Sequence, residues 1–160
     1  MAKTIAHICI LVADIEKAIE DYRRIFGRVS PGLLEREVVS QVRWAGGEKY
    51  ITAFFGASGD GCDIQLLQPP DTESPLYRRL AKYGEGIHHI AIASAHLDDS
   101  YQQLKSDGIS VNDCLIPEHP DDDDATDVNH FWILPRSAHG VLIEMIDHYR
   151  VKDGRLTGTE

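Results

Sequence analysis

The sequence predicts an α+β fold made of two tandem β-α-β-β-β modules. A histidine in an apolar run, followed by an amphipathic helix and a glycine, occurs twice, with His7 in the first half and His89 in the second. Each half later carries one polar side chain within an apolar run. Gln65 follows His7 by 58 residues, and Glu144 follows His89 by 55. Two such modules, each offering one histidine and one oxygen ligand, can close around a single metal ion.

The first module opens with a buried strand and an amphipathic helix. Residues 5–12 form a continuous apolar run with one histidine, which is typical of a buried strand. Asp14 can cap the helix that follows, whose apolar side chains recur at positions i, i+3, i+4 and i+7 and which ends at Gly27. Three more strands are predicted, over residues 37–44, 49–55 and 62–68, with a turn at 58–61.

The second module repeats this order after a short linking helix. Ser74 and Pro75 begin that helix, which covers residues 76–83. The module itself is predicted to contain a strand at 87–93, a helix at 97–104 and strands at 111–116, 130–134 and 141–146.

The two modules are expected to form one domain. They cover residues 5–70 and 86–148 of a domain at 1–150, and residues 151–160 form a polar tail that we expect to fray.

Composition narrows the class of protein. A chain of 160 residues with 42% hydrophobic and 26% charged residues is typical of one globular domain with a substantial core. No apolar run approaches the ~20 residues that span a bilayer, and the first residues lack an apolar signal core. Together with three cysteines, an odd number, this predicts a cytoplasmic protein that binds no membrane.

Charge adds two expectations. The net charge of −10 argues against a nucleic-acid partner, since nucleic-acid binding requires a basic face. Residues 120–127 include five aspartates, but they lack the alternation and the glycine of an EF-hand calcium loop. We therefore interpret that segment as a solvated surface loop.

Three motifs point to a family. They are Ile-Gln-Leu-Leu-Gln-Pro at 64–69, Gly-Glu-Gly-Ile-His-His-Ile-Ala at 84–91 and Gly-Val-Leu-Ile-Glu at 140–144. The chain resembles the vicinal oxygen chelate superfamily, which includes glyoxalase I, extradiol dioxygenases, bleomycin-resistance proteins and methylmalonyl-CoA epimerases. The motifs are most similar to those of the epimerases. Over residues 5–148 the resemblance implies a half-open mixed β-barrel around a metal site, in a homodimer.

Carried over residue by residue, the resemblance implies that His7, Gln65, His89 and Glu144 bind a divalent metal. Two imidazoles, an amide oxygen and a carboxylate suit cobalt, manganese, nickel, zinc or iron, and leave coordination positions open for substrate. The residues themselves support this, because a carboxylate among apolar neighbours, as at Glu144, is costly to bury without a cation. His88 is expected to face the other side of the strand and to serve structure.

The implied activity is metal-dependent epimerisation of methylmalonyl-CoA or a similar acyl-CoA thioester by α-proton abstraction. Inversion requires a proton-transferring group on each face of the α-carbon. Glu144 is predicted on one face. If alternate residues 51, 53 and 55 pack on the helices, Glu48 faces the cavity and is our first candidate for the other face. Tyr50 and His130 are the alternatives.

Strand parity also makes a prediction about pairing. It places Thr52 or Tyr50 across from Gln65.

Other members of the superfamily supply the competing functions. A glyoxalase I-like isomerase normally has glutamate at the position of Gln65. An extradiol dioxygenase would bind iron through two histidines and a glutamate, so Gln65 would have no evident role. A binding protein of the bleomycin-resistance kind is the non-enzymatic alternative, but such proteins lack a complete ligand set. The loop expected at residues 117–128 is longer and more acidic than in the epimerases that the chain resembles.

Overall fold

The computed structural model describes residues 4–59, 61–70, 73–121 and 128–157. Its elements follow the predicted order closely. The first module contains β1 Ile5–Leu11, α1 Ile15–Val29, β2 Gln41–Ala45, β3 Glu48–Phe55 and β4 Asp63–Gln68. The linking helix is α2 Pro75–Tyr83. The second module contains β5 Gly86–Ala93, α3 Leu97–Ser106, β6 Ile116–Pro120, β7 Val128–Ile133 and β8 Ile143–Ile146, and β9 Val151–Lys152 with β10 Arg155–Leu156 follows it.

Eight strands form one closed mixed barrel in the order β1-β4-β3-β2-β6-β7-β8-β5. The two modules meet at two seams, where β1 pairs with β5 and β2 with β6, both antiparallel. The α+β fold of two modules is therefore confirmed. The resemblance implied a half-open barrel, but the β2–β6 pairing closes it, with Arg43 opposite Pro120 and Ala45 opposite Glu118.

Helix α1 packs on the outside of the barrel. Asp14 caps it, with its Oδ1 accepting a hydrogen bond from the Lys17 amide at 3.0 Å. A buried cluster joins the helix to β3 and β4; its members include Ile15, Ala18, Ile19, Ala53, Phe55 and Leu66. Because Ala53 and Phe55 face the helix, the alternate β3 residues point into the barrel, as strand parity predicted.

Helix α3 covers the second module in the same way. Leu97 and Tyr101 pack against Phe131 of β7, again on the outer face of the barrel. Both outer faces are thus apolar, and the inside of the barrel is left for buried polar side chains. None of the described helices is both long and apolar enough to span a bilayer.

Two segments differ from the sequence expectations. The strand predicted at 111–116 is reduced to an isolated bridge at Val111, and β6 instead covers residues that were assigned to an acidic loop. Strand β2 begins at Gln41 rather than at 37, after a 3₁₀ helix at Pro31–Leu34. Of the acidic stretch 120–127, residues 122–127 lie outside the described residues.

Within the described part of the C-terminal segment, residues 151–157 do not form the frayed tail that was expected. Strands β9 and β10 pair as a hairpin, and Leu156 is only 2% exposed, in a cluster with Phe54 and Val128. The Leu156 amide donates to Gln41 Oε1 at 3.1 Å. A single buried leucine and a few hydrogen bonds therefore hold a segment whose composition is mostly polar.

Candidate metal centre and active-site cavity

Three of the predicted ligands, from β1, β5 and β8, meet inside the barrel. His7 Nε2 lies 3.1 Å from His89 Nε2 and 3.2 Å from Glu144 Oε2. His89 Nε2 lies 3.0 Å from the same Glu144 oxygen. All three residues are at most 4% exposed. Ligand atoms lie about 2.0–2.2 Å from a transition metal, so adjacent ligands of one ion are roughly 3 Å apart, as these atoms are.

The protonation of this cluster suits a cation. Burial opposes ionisation of Glu144, but the neighbouring imidazoles of His89 and His7 hold the pKa of its carboxyl well below the ordinary value. Burial is the largest influence on His89 and lowers the pKa of its imidazole, against the opposing effect of Glu144. A carboxylate and a neutral imidazole are the forms of these groups that bind metal.

Gln65, the fourth predicted ligand, lies on β4 opposite Cys9 of β1 and is 5% exposed. Among the described residues, its Oε1 has no hydrogen-bond partner. A buried acceptor left unpaired costs about 1–3 kcal/mol, and a cation beside it removes that cost. The unpaired amide oxygen and the converging donors of His7, His89 and Glu144 together fit a divalent transition metal.

His88 does not face away from this centre. The β1–β5 register shifts between the Cys9–His89 pair and the Ile10–Ile87 pair, so His88 occupies a bulge. Such a bulge breaks the alternation of side chains along a strand. His88 thus lines the same cavity as His89, with their Nδ1 atoms 2.8 Å apart. It orients the ring of a predicted ligand, a role that strict alternation concealed.

Cys9 lies near both of these histidines. Its thiol, His88 and His89 form a second group of possible metal donors within 4.8 Å of one another. Burial, reinforced by Glu144 and Glu118, raises the pKa of the Cys9 thiol well above its ordinary value. Cys9 packs with Leu11, Tyr50 and Leu67 in a buried cluster, and we describe it as a packing residue.

A cavity of about 450 Å³ opens beside the cluster. His89, Glu144 and Gln65 line it, and His7 contacts both His89 and Glu144. All three candidates for the second proton carrier also line the cavity: Glu48, Tyr50 and His130. Its apolar wall is formed mainly by Leu67, Leu76, Trp132, Leu134 and Leu142.

The predicted pairing across β3 and β4 is wrong by one inward-facing position. Phe54, rather than Thr52 or Tyr50, lies opposite Gln65. The reason is the connection between the strands, which spans residues 56–62 and sets Phe55 against Ile64. Thr52 instead donates its hydroxyl to the Leu66 carbonyl at 2.9 Å. Phe54 packs edge-on against His7, one of the predicted ligands, with ring centroids 5.9 Å apart.

Sequence reasoning missed Glu118, which completes a further buried polar cluster in the same cavity. Glu118, His130 and Glu144 bring possible donor atoms within 4.8 Å of one another. His130 Nδ1 lies 3.7 Å from Glu118 Oε2 and 3.8 Å from Glu144 Oε1. Arg43 Nε, however, donates to Glu118 Oε1 at 2.6 Å. Because this guanidinium already neutralises Glu118, the set of His7, His89 and Glu144 is the better metal centre.

The sequence did not predict a strand at Glu118, because two prolines flank it and proline argues against a central strand. Pro117 and Pro120 flank it, and yet β6 pairs with both β2 and β7. The available signal was Arg43, which strand parity directs into the barrel. A buried arginine requires a buried acid.

Fold and centre together define the class of this protein. The chain belongs to the glyoxalase/bleomycin resistance protein/dioxygenase superfamily, whose family model matches residues 6–127.

The chain is similar in sequence to one bacterial relative and in structure to epimerases. The chain is 30% identical over 141 residues to the uncharacterized protein YqjC of Bacillus subtilis (strain 168), a match that covers 88% of this chain and 89% of that protein. It is similar to the structure of methylmalonyl-CoA epimerase from Mycobacterium tuberculosis, with a TM-score of 0.65, 25% identity and coverage of 90% and 87%. It is also similar to a variant of the Streptomyces coelicolor methylmalonyl-CoA epimerase in complex with 2-nitronate-propionyl-CoA, with a TM-score of 0.63, 26% identity and coverage of 92% and 98%.

Proposed function

We propose that this protein is a divalent-metal-dependent epimerase that exchanges the α-proton of methylmalonyl-CoA or a closely similar acyl-CoA thioester. The observation that carries the proposal is the convergence of His7, His89 and Glu144 at the wall of a cavity that also holds further carboxylates. Epimerases of known structure share the fold over nine-tenths of the chain. The complex with 2-nitronate-propionyl-CoA is one of an acyl-CoA analogue with such a relative.

His7, Gln65, His89 and Glu144 would hold the ion, which is cobalt, manganese, nickel, zinc or iron by the chemistry of the donors. A bound divalent cation supplies positive charge that stabilises the enolate formed when the α-proton leaves. The ring of His88 keeps His89 in the orientation that binding requires. A buried carboxylate and a buried amide oxygen complete a donor set that a ligand-sequestering relative would not need.

The remaining cavity residues position the substrate and move its proton. Trp132 and Leu142 belong to the apolar wall that would surround the reacting carbon. Glu48 and Glu144 are the proposed proton carriers, since both reach the cavity and inversion requires two. Burial, reinforced by the charge of Glu118, raises the pKa of the Tyr50 hydroxyl well above its ordinary value, so Tyr50 keeps its proton and serves as a hydrogen-bond donor.

An acyl-CoA substrate needs cations for its phosphates. Arg78, Arg79 and Lys82 lie on helix α2, which contributes Leu76 to the cavity wall. All three side chains are exposed, as is usual for basic residues on a surface helix. The charged groups of Arg79 and Lys82 lie over the ring of Tyr83. A homodimer and a cytoplasmic location stay predictions of the sequence.

Deuterium uptake at the α-carbon of methylmalonyl-CoA tests the proposal. The protein is loaded with cobalt or manganese, its metal content is measured, and exchange in heavy water is followed by mass spectrometry. The expected result is metal-dependent exchange with loss of stereochemical purity, abolished by chelator. Lack of exchange by protein that holds its metal would contradict the epimerase proposal and leave only membership of the superfamily.

A further inference from the structure

A carboxylate that the sequence did not bring into play lies in the same cavity. We infer that Glu118 of β6 is one of the two residues that transfer the α-proton, with Glu48 of β3 as its partner. This inference rests on the proposed function, and it replaces Glu144 in the proton-transferring pair. Glu144 then serves only to hold the metal.

The barrel register places the two glutamates on either side of one small residue. Ala45 of β2 pairs with Glu48 in one direction and with Glu118 in the other. All three residues line the cavity, so they share the inner face. Neighbouring strands are about 4.8 Å apart, which separates the Cα atoms of the two glutamates by about 10 Å. The methyl group of Ala45 leaves that gap open, so a carbon held between the carboxylates has one on each side.

Glu118 is held in a fixed orientation. Its Oε1 accepts from Arg43 Nε at 2.6 Å, and its backbone carbonyl accepts from Arg43 Nη2 at 3.3 Å. Arg43 is itself fully buried and donates from Nη1 to the Leu156 carbonyl at 3.0 Å. One carboxylate oxygen is therefore anchored, while Oε2 lies toward His130 and the cavity.

Glu144 is less suited to this role. Its Oε2 lies within 3.2 Å of both His7 Nε2 and His89 Nε2. That oxygen is directed at the two imidazoles rather than at a substrate carbon. In Glu118, Arg43 pairs with Oε1 and leaves Oε2 toward the cavity. Glu48 lies at the first residue of β3, half-buried at the edge of the cavity.

The proton balance needs no further reactant. The α C–H bond breaks, its proton goes to one glutamate, and the electron pair moves to the thioester carbonyl to give an enolate. The other glutamate starts protonated and delivers its proton to the opposite face of the carbon. Reaction of the other epimer, or exchange with solvent, returns the two residues to their starting states.

The test separates inversion from exchange. Each epimer of methylmalonyl-CoA is incubated in heavy water with metal-loaded Glu118→Gln, Glu48→Gln and the wild type. Glu118→Gln should retain deuterium uptake from one epimer, lose it from the other, and epimerise about 100-fold or more slowly. Glu48→Gln should show the reverse preference. Glu20→Gln, on the exposed face of α1, is the matched control and should behave as the wild type.

Metal content and circular dichroism establish that each variant is folded and loaded. If Glu118→Gln fails to fold, Glu118→Asp keeps the charge beside Arg43 and should still slow inversion more than single-epimer exchange. Wild-type epimerisation rates in the Glu118 variants would overturn the inference, as would equal loss of exchange from both epimers. Absence of exchange in the metal-loaded wild type is a different failure, because it overturns the proposed function and this inference with it.

Discussion

Arg43 and Glu118 form a buried ion pair across the β2–β6 seam, with Nε 2.6 Å from Oε1 and neither residue more than 4% exposed. Arg43 belongs to the first module and Glu118 to the second, so the pair joins the halves where the barrel closes. Burying either charge alone is costly, and the partner offsets that cost. Because Glu118 also lines the cavity, the pair that joins β2 to β6 also holds a cavity residue in position.

Arg43→Met is expected to lower the free energy of unfolding by about 3–5 kcal/mol, because it leaves Glu118 buried without a counter-charge. Urea unfolding followed by circular dichroism measures the change. The double variant Arg43→Met with Glu118→Leu removes both charges and should recover most of the loss. A double variant no more stable than Arg43→Met alone would show that the loss comes from packing or from the Leu156 contact.

Leu156→Ala tests whether the C-terminal hairpin is part of the folded domain. Leu156 is 2% exposed and packs with Phe54 and Val128, so its truncation should cost about 2–5 kcal/mol of the free energy of unfolding. Arg155→Ala, at the exposed neighbouring position, is the matched control and should change stability by about 0.5 kcal/mol or less. Equal stabilities of the two variants would restore the frayed tail of the sequence analysis.

The fold was predictable where a pattern repeated along the chain. His7 and His89, each followed by an amphipathic helix, predicted two modules, and the barrel brings both histidines to one carboxylate at Glu144. Strand parity also placed Glu48 and Tyr50 in the cavity. These inferences held because burial along a strand and along a helix has a fixed period that sequence displays directly.

The parts of the fold that were not predicted depend on features that do not repeat at a fixed spacing along the sequence. The bulge at His88 shifts one residue of register, and proline-flanked β6 lacks the usual sequence signs of a strand. The hairpin around Leu156 is held by contacts with residues more than a hundred positions away, such as Gln41 and Arg43. Such long-range contacts decide which polar residues are buried, so Glu118 was assigned to a loop.

His88→Ala is expected to weaken metal binding without abolishing it. The His88 ring lies 2.8 Å from His89, Nδ1 to Nδ1, and loss of such a partner typically costs 10–100-fold in metal affinity. Competition with a chromogenic chelator measures that affinity. His96→Ala, which removes an exposed histidine before α3, is the control and should bind as the wild type. Unchanged affinity in His88→Ala would mean that packing alone orients His89.

His89→Ala and Glu144→Ala are each expected to abolish stoichiometric metal binding. Each removes one of three donors that lie 3.0–3.2 Å apart, and the two that remain leave most of the ion's coordination to water. Gln65→Ala should bind more weakly but measurably, because the imidazoles and the carboxylate stay in place. Metal content after dialysis, measured by atomic emission, reports all three. His139→Ala, at an exposed turn, is the control. Full stoichiometry in Glu144→Ala would contradict the ligand set and direct attention to Glu118 and His130.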